Sequence, residues 1–261
     1  MRKRIVVSFT CMTLFAISGV RANESDAAAQ ANNPLANMKS LSFHNYYIPA
    51  FTTPVPDTGN QFWFRYAQPL KIKDTTWLMR ASLPIKSLSE PSEFGLGDLD
   101  IFAAYLIPTK NPAISLGIGP QLVIPTATAN ALGTDKWSAG LAHILFDGRG
   151  KKFQWGYLLT YQHSIAGDSA APDVNFAAFQ YFAFYQLGKG HYLRSAPVWA
   201  FDLRTDGYTI PIGLGYGKVM KKGNIVYNAF IEPQFSVADQ GPNAWPEWQL
   251  FFALNMQFPG N

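Results

Sequence analysis

The sequence contains almost no cysteine, few charged residues and, beyond its N-terminal region, no long apolar run. The single cysteine, Cys11, lies in an apolar segment with no lipobox of small residues before it. The sequence therefore predicts no lipoprotein anchor, no disulfide and no cysteine-ligated metal in the rest of the chain. No stretch after residue 22 approaches the about 18 consecutive apolar residues of a transmembrane helix. Charged residues make up 15% of the chain, against about 25% in average soluble domains.

Motifs for catalysis and for metal or nucleotide binding are also missing. The four histidines, His44, His143, His163 and His191, are scattered without the spacing of metal ligands. No Gly-x-Ser-x-Gly nucleophile elbow is present, and the glycine-rich string at 95–97 lacks both phosphate-loop patterns. His163 and Ser164 are adjacent, but neighbouring side chains of a strand point to opposite faces, so they do not suit acid–base catalysis. The sequence predicts no enzyme, no metal site and no cofactor.

The N-terminus has the three-part layout of an export signal. Three basic residues at 2–4 precede an apolar run of thirteen, Ile5 to Ile17, and Val20 and Ala22 fit a small-residue cleavage site. The run is too short to cross a bilayer as a helix, which needs about 20 residues, so residues 1–22 are predicted to be a cleavable signal peptide. They carry four basic residues and no acid, which leaves 17 basic and 17 acidic residues. The neutral mature chain gives no reason to expect nucleic-acid binding.

A periodicity of two dominates the rest of the chain. At the C-terminus the even positions from Trp248 to Phe258 are apolar, whereas the odd positions from Gln249 to Gln257 are mostly small or polar. Similar alternation occurs near 114–124, 154–164 and 210–217. Alternation of this kind gives a strand one apolar and one polar face. In a soluble sandwich the polar face would meet water; in a membrane barrel the apolar face meets lipid and the polar face lines the lumen.

The spacing of turn residues favours the membrane barrel. Strands are predicted near 41–48, 60–72, 75–86, 95–108, 112–125, 137–147, 152–164, 173–187, 191–203, 208–219, 224–237 and 245–258. Short turns around residues 73, 110, 149, 189 and 222 alternate with longer links at 49–59, 87–94, 126–136, 165–172, 204–207 and 238–244. An even number of strands, with short periplasmic turns and longer outer loops, is typical of bacterial outer-membrane barrels.

We therefore predict an all-β fold: a transmembrane antiparallel up-and-down β-barrel of about 12 strands over residues 41–261. A mobile periplasmic arm is predicted over residues 23–40. Aromatic girdle residues are expected near strand ends, namely Trp77, Trp137, Trp155, Tyr208 and Trp248. Six prolines fall inside predicted strands: Pro69, Pro84, Pro120, Pro197, Pro211 and Pro233. Because proline cannot donate to a ladder, they indicate bulges or argue against the strands.

An ordered series of motifs resembles a known family. The motifs are Asn33-Pro34-Leu35-Ala36, Gly95-Leu96-Gly97-Asp98-Leu99-Asp100, the segment 117–140, Ala166-Gly167-Asp168, Pro172-Asp173-Val174-Asn175 and the segment 210–219. Together they resemble the proteobacterial outer-membrane β-barrel family labelled with the MetA pathway of phenol degradation. Its members are often described as transporters or, misleadingly, as neuromedin U. The resemblance covers almost the whole mature chain and implies an outer-membrane barrel that moves small hydrophobic or aromatic compounds. The chain departs from many barrel proteins in ending on Pro259-Gly260-Asn261 and not on an aromatic residue.

Charged residues within predicted strands are candidates for lining the pore. On the lipid face near mid-membrane an Arg or Lys costs about 2–4 kcal/mol, so these side chains are expected to point inward. They are Arg65, Arg80, Lys86, Asp98, Asp100, Arg194, Asp202, Arg204 and Glu232. They form either a selectivity ladder or a paired network that fills a narrow lumen, and opposite signs on neighbouring strands favour the network. Outer-loop candidates for binding are Thr126, Thr128, Asn130, Thr134, Asp135 and Lys136.

The leading functional prediction is passage or binding of small, hydrophobic or aromatic molecules at the outer membrane of a Gram-negative cell. Barrels of about 8 strands are filled by side chains and those of about 16–18 hold an aqueous channel. Twelve strands therefore favour a slim or gated conduit over a general porin. The alternatives are a non-conducting structural or interaction barrel and, weakest, an outer-membrane lipid hydrolase. The predicted partners are outer-membrane lipid, small hydrophobic solutes and the barrel-assembly machinery.

Overall fold

Antiparallel pairing joins neighbouring strands along the chain and finally joins the last strand to the first. The computed structural model describes residues 31–259; the predicted signal peptide and residues 23–30 of the predicted arm lie outside the described residues. The strands are β1 (Met38–Phe51), β2 (Gly59–Ile72), β3 (Thr75–Leu88), β4 (Glu93–Leu96), β5 (Leu99–Ile107), β6 (Ile114–Ile124), β7 (Lys136–Asp147), β8 (Phe153–Gly167), β9 (Asn175–Gly188), β10 (His191–Ser195), β11 (Val198–Asp202), β12 (Gly207–Gly213), β13 (Gly215–Lys222), β14 (Ile225–Gln240) and β15 (Pro246–Pro259). Because β15 pairs with both β14 and β1, the sheet closes into a barrel.

The fifteen strands make a twelve-stranded barrel because three of its strands are interrupted. Both β4 and β5 pair with β3, both β10 and β11 pair with β9, and both β12 and β13 pair with β14. The prediction of an antiparallel all-β barrel of twelve strands is confirmed. A short 3₁₀ helix (Asn130–Leu132) lies in the loop between β6 and β7. Within residues 31–259, no helix is long and apolar enough to cross a membrane.

The three interruptions lie where prolines remove a ladder donor. Pro197 lies in the gap between β10 and β11. Pro84 of β3 faces the gap between β4 and β5, where the Gly97 N–H donates to the Pro84 carbonyl at 2.8 Å. Pro233 of β14 faces the gap between β12 and β13, where the Leu214 N–H approaches the Pro233 carbonyl at 3.4 Å. Since proline has no N–H, a regular ladder cannot continue through these points.

Short and long connections alternate around the barrel. The turns after β2, β5, β7, β9 and β13 lie at the same end as the two terminal strand ends, Met38 and Pro259, which pair with each other. We call this the periplasmic end and the opposite one the outer end, following the usual arrangement of short turns and longer loops in such barrels. The turn after β9 is made by Lys189 and Gly190 at φ of 52° and 77°. That left-handed pair is the conformation of the tightest hairpin turns.

The exterior of the barrel is apolar over its middle. Side chains that the alternation assigns to lipid are exposed, among them Phe252 (43%), Leu159 (42%) and Ile118 (40%), whereas Phe251 is 1% exposed. An apolar band that surrounds the whole molecule would be unstable in water, so it indicates that lipid solvates this face. All five predicted girdle residues lie near strand ends with the alternation that places them on this face: Trp77, Trp137, Trp155, Tyr208 and Trp248.

Residues 31–37, here called the N-terminal segment, fill the periplasmic half of the interior. Leu35 is 3% exposed and packs in an apolar cluster with Ile144 and Leu158. The Asn33 side chain donates to the Ser115 hydroxyl at 3.0 Å. Burial of a leucine side chain stabilises this position by about 1.5–3 kcal/mol.

Two more hydrogen bonds join the N-terminal segment to the barrel wall. Asn228 donates to the Asn32 side chain at 3.0 Å, and Gln257 donates to the Ala31 carbonyl at 3.1 Å. The described part of the predicted arm is therefore not a free periplasmic segment: residues 31–37 lie inside the barrel, and residues 38–40 already belong to β1. The physical reason is that the lumen offers this segment both an apolar pocket and unpaired amides.

A charge placed on the exterior at mid-membrane should destabilise the barrel in a depth-dependent way. We expect Phe252→Arg to lower the free energy of unfolding by about 2–4 kcal/mol or more, because the guanidinium would meet hydrocarbon. Phe258→Arg on the same face of β15, but at the periplasmic end, should cost about 0–1 kcal/mol for the charge. Urea unfolding of the protein in phospholipid vesicles measures both. Equal effects would contradict the assignment of this face to lipid.

Candidate functional site

A cavity of about 450 Å³ extends from the outer loops to the middle of the barrel. We call it the outer cavity. Aromatic side chains form much of its wall, namely Tyr46, Phe51, Trp63, Phe176 and Trp245. Polar side chains lie among them, including Arg65, Arg80, Asp100, Gln121, Gln180 and Gln234. The site therefore offers both ring faces and hydrogen-bonding groups to a small molecule, as ligand pockets commonly do.

A second cavity, of about 170 Å³, lies beneath it and borders the N-terminal segment. We call it the inner cavity. Its lining includes Asn32, Asn33 and Pro34 from the segment. Arg65, Arg80 and Gln180 line both cavities. These three side chains therefore form the boundary between the outer and the inner cavity.

Arg194 and Glu232 form a buried ion pair in the barrel wall. The Arg194 Nε donates to Glu232 Oε2 at 2.6 Å, and the two side chains are 7% and 0% exposed. The guanidinium carbon lies 3.3 Å from the centre of the Phe230 ring. The other Glu232 oxygen accepts from the Ala196 N–H at 2.8 Å, in the gap between β10 and β11, and from Gln234 at 3.0 Å. The carboxylate thus satisfies a backbone donor at the interruption, which gives the pair a structural role.

Arg65 and Arg80 have no comparable partner. Arg65 donates to His44 Nδ1 at 2.8 Å, and its guanidinium carbon lies 4.9 Å from the Trp63 ring centre. The Arg80 guanidinium carbon lies 4.4 Å from the Phe102 ring centre. Within residues 31–259, neither arginine has a carboxylate within 4.0 Å, and the Nε of each is buried without a hydrogen-bond partner. Two cationic groups therefore face the cavities without a counterion in contact.

Two other charges of this region, Asp98 and Lys86, hold the outer loop in place. Asp98 accepts hydrogen bonds from the backbone N–H and the hydroxyl of Thr134, both at 2.8 Å. Lys86 donates to the Leu132 carbonyl at 2.8 Å, and Asp100 accepts from Gln121. Among the predicted lumen-lining charges, the paired network that the sequence favoured is found only at Arg194 and Glu232.

Asp202 and Arg204 lie at the outer end. Asp202 ends β11 and accepts from Asn243 at 3.2 Å. Arg204 lies beyond β11 and is exposed, so it does not line the lumen in the way that the sequence suggested. Arg204 was grouped with the lumen-facing charges although its position falls in the predicted link at 204–207, where the alternation of strand faces does not set the direction of a side chain. The turn at 203–206 instead directs the chain across the rim.

The predicted outer-loop residues divide into three groups. Thr126 and Thr128 accept from the backbone N–H groups of Leu99 and Leu96 at 3.0 and 3.1 Å, so they hold the loop onto β4 and β5. Lys136 pairs with Asp173 at 3.1 Å, and its hydrogen bond lowers the pKa of the Asp173 carboxyl. The remaining candidates, Asn130, Thr134 and Asp135, line a third cavity of about 670 Å³ between the outer loops.

Sequence reasoning missed the aromatic and segment residues of the site. Trp63 and Tyr46 read as ordinary strand residues, although Trp63 shares its strand parity with Arg65 and could have been placed inward on that basis. Asn33 and Leu35, which belong to the first motif of the family resemblance, and the neighbouring Asn32 were not assigned to the lumen, because nothing in a short polar stretch shows which distant wall it will contact. Gln180 was overlooked as an isolated polar residue, yet it donates to the Ala196 carbonyl at 2.8 Å, in the gap between β10 and β11.

The His163–Ser164 pair has no catalytic geometry. The Ser164 hydroxyl donates to Asp173 at 3.2 Å and accepts from the Val174 N–H at 3.1 Å. No hydrogen bond joins it to His163 in the described part of the chain, where both residues lie in β8. That part also contains no group of three or more His, Cys, Asp or Glu side chains that could hold a metal ion.

Removing one member of the buried ion pair should destabilise the barrel more than removing both. We expect Arg194→Met to cost about 3–5 kcal/mol of unfolding free energy, because Glu232 would be left as an unpaired buried charge. Adding Glu232→Gln should recover part of this loss, since the amide keeps an acceptor for the Ala196 N–H without the charge. The cycle of single and double variants, unfolded in vesicles, measures the coupling. Strictly additive losses would contradict the assigned pairing.

Comparisons with known proteins identify the fold. No family profile and no curated protein matches the chain, so the relation to the phenol-degradation family stays a prediction. An outer membrane channel from Pseudomonas putida F1 superposes with a TM-score of 0.66 at 15% identity, over 87% of this chain and 98% of that one. The NanC porin superposes with a TM-score of 0.52 at 12% identity, over 84% of this chain and 98% of that one. The chain therefore has the β-barrel fold of outer membrane channels.

Proposed function

We propose that the protein is an outer-membrane conduit for small hydrophobic or aromatic molecules. The observation that carries this proposal is the outer cavity, whose aromatic walls lead from the outer loops to the middle of the barrel. Aromatic side chains give large apolar contact areas and stack favourably on other rings. A conduit for small inorganic ions alone would gain little from such a lining. The barrel fold shared with outer membrane channels supports the same function.

The small volume of the lumen favours a selective conduit over a general porin. The outer cavity holds about 450 Å³, which lies in the range of single-ligand pockets. Below it the N-terminal segment occupies the lumen beside an inner cavity of about 170 Å³. We infer that the N-terminal segment must be displaced before a solute can leave the periplasmic end. The rival possibility, a non-conducting barrel, draws its support from the same segment.

Locking the N-terminal segment should block passage reversibly. The Asn33 side chain of the N-terminal segment donates a hydrogen bond to Ser115 of the barrel wall. The sequence has one cysteine, Cys11, and it lies in the predicted signal peptide, so no native thiol competes with an introduced pair. In a strain that lacks the native gene, the double variant Asn33→Cys/Ser115→Cys should support slow uptake of labelled toluene when oxidised. Reduction with dithiothreitol should restore uptake to the wild-type rate. The single variant Asn33→Cys is the matched control and should not respond to oxidation.

The uptake assay and a lipase assay distinguish the conduit from the two alternative functions. Equal uptake by cells with and without the protein would overturn the conduit and favour the non-conducting barrel. Uptake that exceeds the empty strain but ignores the disulfide would retain the conduit and refute the displacement of the segment. Release of fatty acid from phospholipid by the purified protein would favour a lipid hydrolase instead.

A further inference from the structure

We propose that Arg65 and Arg80 bind the carboxylate of an aromatic acid at the base of the outer cavity. The inference rests on the proposed function and adds a substrate class to it: a flat apolar body with one anionic group. It is carried by the two arginines that lack a counterion and by the aromatic walls above them.

The two arginines are neighbours on the lumen face. In the register of β2 and β3, Arg65 lies opposite Ser82 and Arg80 lies opposite Ala67, so the two side chains are diagonal neighbours. Such neighbours are within reach of each other when the side chains are long. Two like charges held together are unfavourable unless an anion lies between or beside them.

The acidic groups of the lumen do not neutralise this pair. Glu232 is fully engaged by Arg194, the Ala196 N–H and Gln234. Asp100, an acid that lines the outer cavity, accepts from Gln121 and is not within 4.0 Å of either arginine. One acid is thus left for two guanidinium groups, and the middle of the lumen keeps a surplus positive charge.

A carboxylate matches the donors that this site presents. Guanidinium groups bind carboxylates through paired hydrogen bonds, which are stronger than hydrogen bonds between neutral groups. The buried Nε atoms of Arg65 and Arg80 have no hydrogen-bond partner among the described residues, and a bound oxyanion would supply an acceptor. The rings of Tyr46 and Trp63 line the same cavity and can contact the aromatic body.

Calorimetric titration of the mature protein in detergent tests the site with two probes of similar size. Benzoate should bind about tenfold or more tightly than neutral benzyl alcohol, because only benzoate can pair with the guanidinium groups. Arg65→Gln and Arg80→Gln should each weaken benzoate binding by about tenfold and leave benzyl alcohol unchanged. Arg204→Gln, an exposed arginine at the outer rim, is the control and should change neither affinity.

The outcomes separate this site from the conduit itself. Equal affinity of the wild-type protein for the two probes would overturn the carboxylate site, while toluene uptake would still support a conduit. Binding of neither probe would also overturn the carboxylate site. The conduit would then be tested by the toluene uptake assay only. If the variants lose the heat-modifiable gel migration of a folded barrel, they no longer test the site. The difference between the affinities of the wild-type protein for benzoate and for benzyl alcohol still tests it.

A second inference comes from the separation of charge between the two ends of the barrel. The periplasmic end carries eleven basic residues: Lys39, Lys71, Lys73, Lys110, Arg149, Lys151, Lys152, Lys189, Lys218, Lys221 and Lys222. Its described acidic residues are two, Asp74 and Asp147. The outer end has the opposite balance, with Lys86, Lys136 and Arg204 against eleven acids: Asp57, Glu90, Glu93, Asp98, Asp135, Asp168, Asp173, Asp202, Asp206, Asp239 and Glu247. A chain that is neutral after residue 22 is therefore strongly polarised along the barrel axis.

We infer that the basic rim binds the phosphodiester headgroups of anionic phospholipids in the periplasmic leaflet. Basic residues occur in four of the five turns and at the end of β13 beside the fifth, and Lys39 lies near the start of β1, so they surround the circumference. Lys39 lies opposite Phe258, and Lys218 shares a face with Tyr216 and Met220, which places both lysines at the edge of the lipid-facing surface. A protein partner would touch one side of the rim, whereas a lipid leaflet meets all of it. Basic residues next to a bilayer attract anionic headgroups.

Fluorescence quenching by brominated lipids tests the rim. Trp77 and Trp155 lie near the periplasmic end and report lipids bound there. Brominated phosphatidylglycerol should compete at least about twofold better than brominated phosphatidylcholine at low salt, and less so at about 1 M salt, where charges are screened. The triple variant Lys218→Gln/Lys221→Gln/Lys222→Gln should reduce the preference. Arg204→Gln at the outer end should leave it unchanged. Equal competition by the two lipids, at any salt concentration, would overturn this inference.

Discussion

In lipid, a backbone N–H or C=O without a partner costs several kcal/mol, and this constraint accounts for most features of the barrel. Closure of β15 onto β1 removes the free edges that an open sheet would expose. The interruptions in three strands would reintroduce unpaired groups, and side chains compensate for them. At the gap between β10 and β11, the Glu232 carboxylate accepts from the Ala196 N–H and the Gln180 amide donates to the Ala196 carbonyl. A buried charge in the wall is thus a consequence of a missing ladder partner.

The same constraint sorts the lumen charges into structural and available groups. Glu232 is needed by the backbone, and Arg194 neutralises it beneath the Phe230 ring. Asp98 is needed where the gap between β4 and β5 meets the outer loop, and it binds Thr134 there. Arg65 and Arg80 serve no backbone group and contact no carboxylate among the described residues, although they lie where the outer and inner cavities meet. Charged side chains that no backbone group of the barrel needs as a hydrogen-bond partner are free to interact with a solute.

The sequence predicted the barrel well because its signals are local. The period of two assigned the faces of β15, and the alternation of short and long links set the strand number. The prolines were ambiguous alone, but Pro84, Pro197 and Pro233 each mark an interruption. Contacts between parts of the chain that are far apart in sequence were not predictable in this way. Leu35 packs against residues more than a hundred positions away, and Arg204 was misplaced because a residue in a link between strands does not follow the alternation of strand faces.

The inserted position of the N-terminal segment depends on two opposing contributions to the free energy. Burial of Leu35 and three hydrogen bonds to the wall stabilise its position by on the order of 5 kcal/mol. Ordering of the backbone opposes this stabilisation by about 1–2 kcal/mol for each residue that is fixed. The inserted position is therefore favoured by less than these contacts alone contribute. Since about 1.4 kcal/mol changes a population tenfold, the proposed conduit needs only modest interactions of a solute with the inner cavity to shift the segment, while the barrel wall stays fixed.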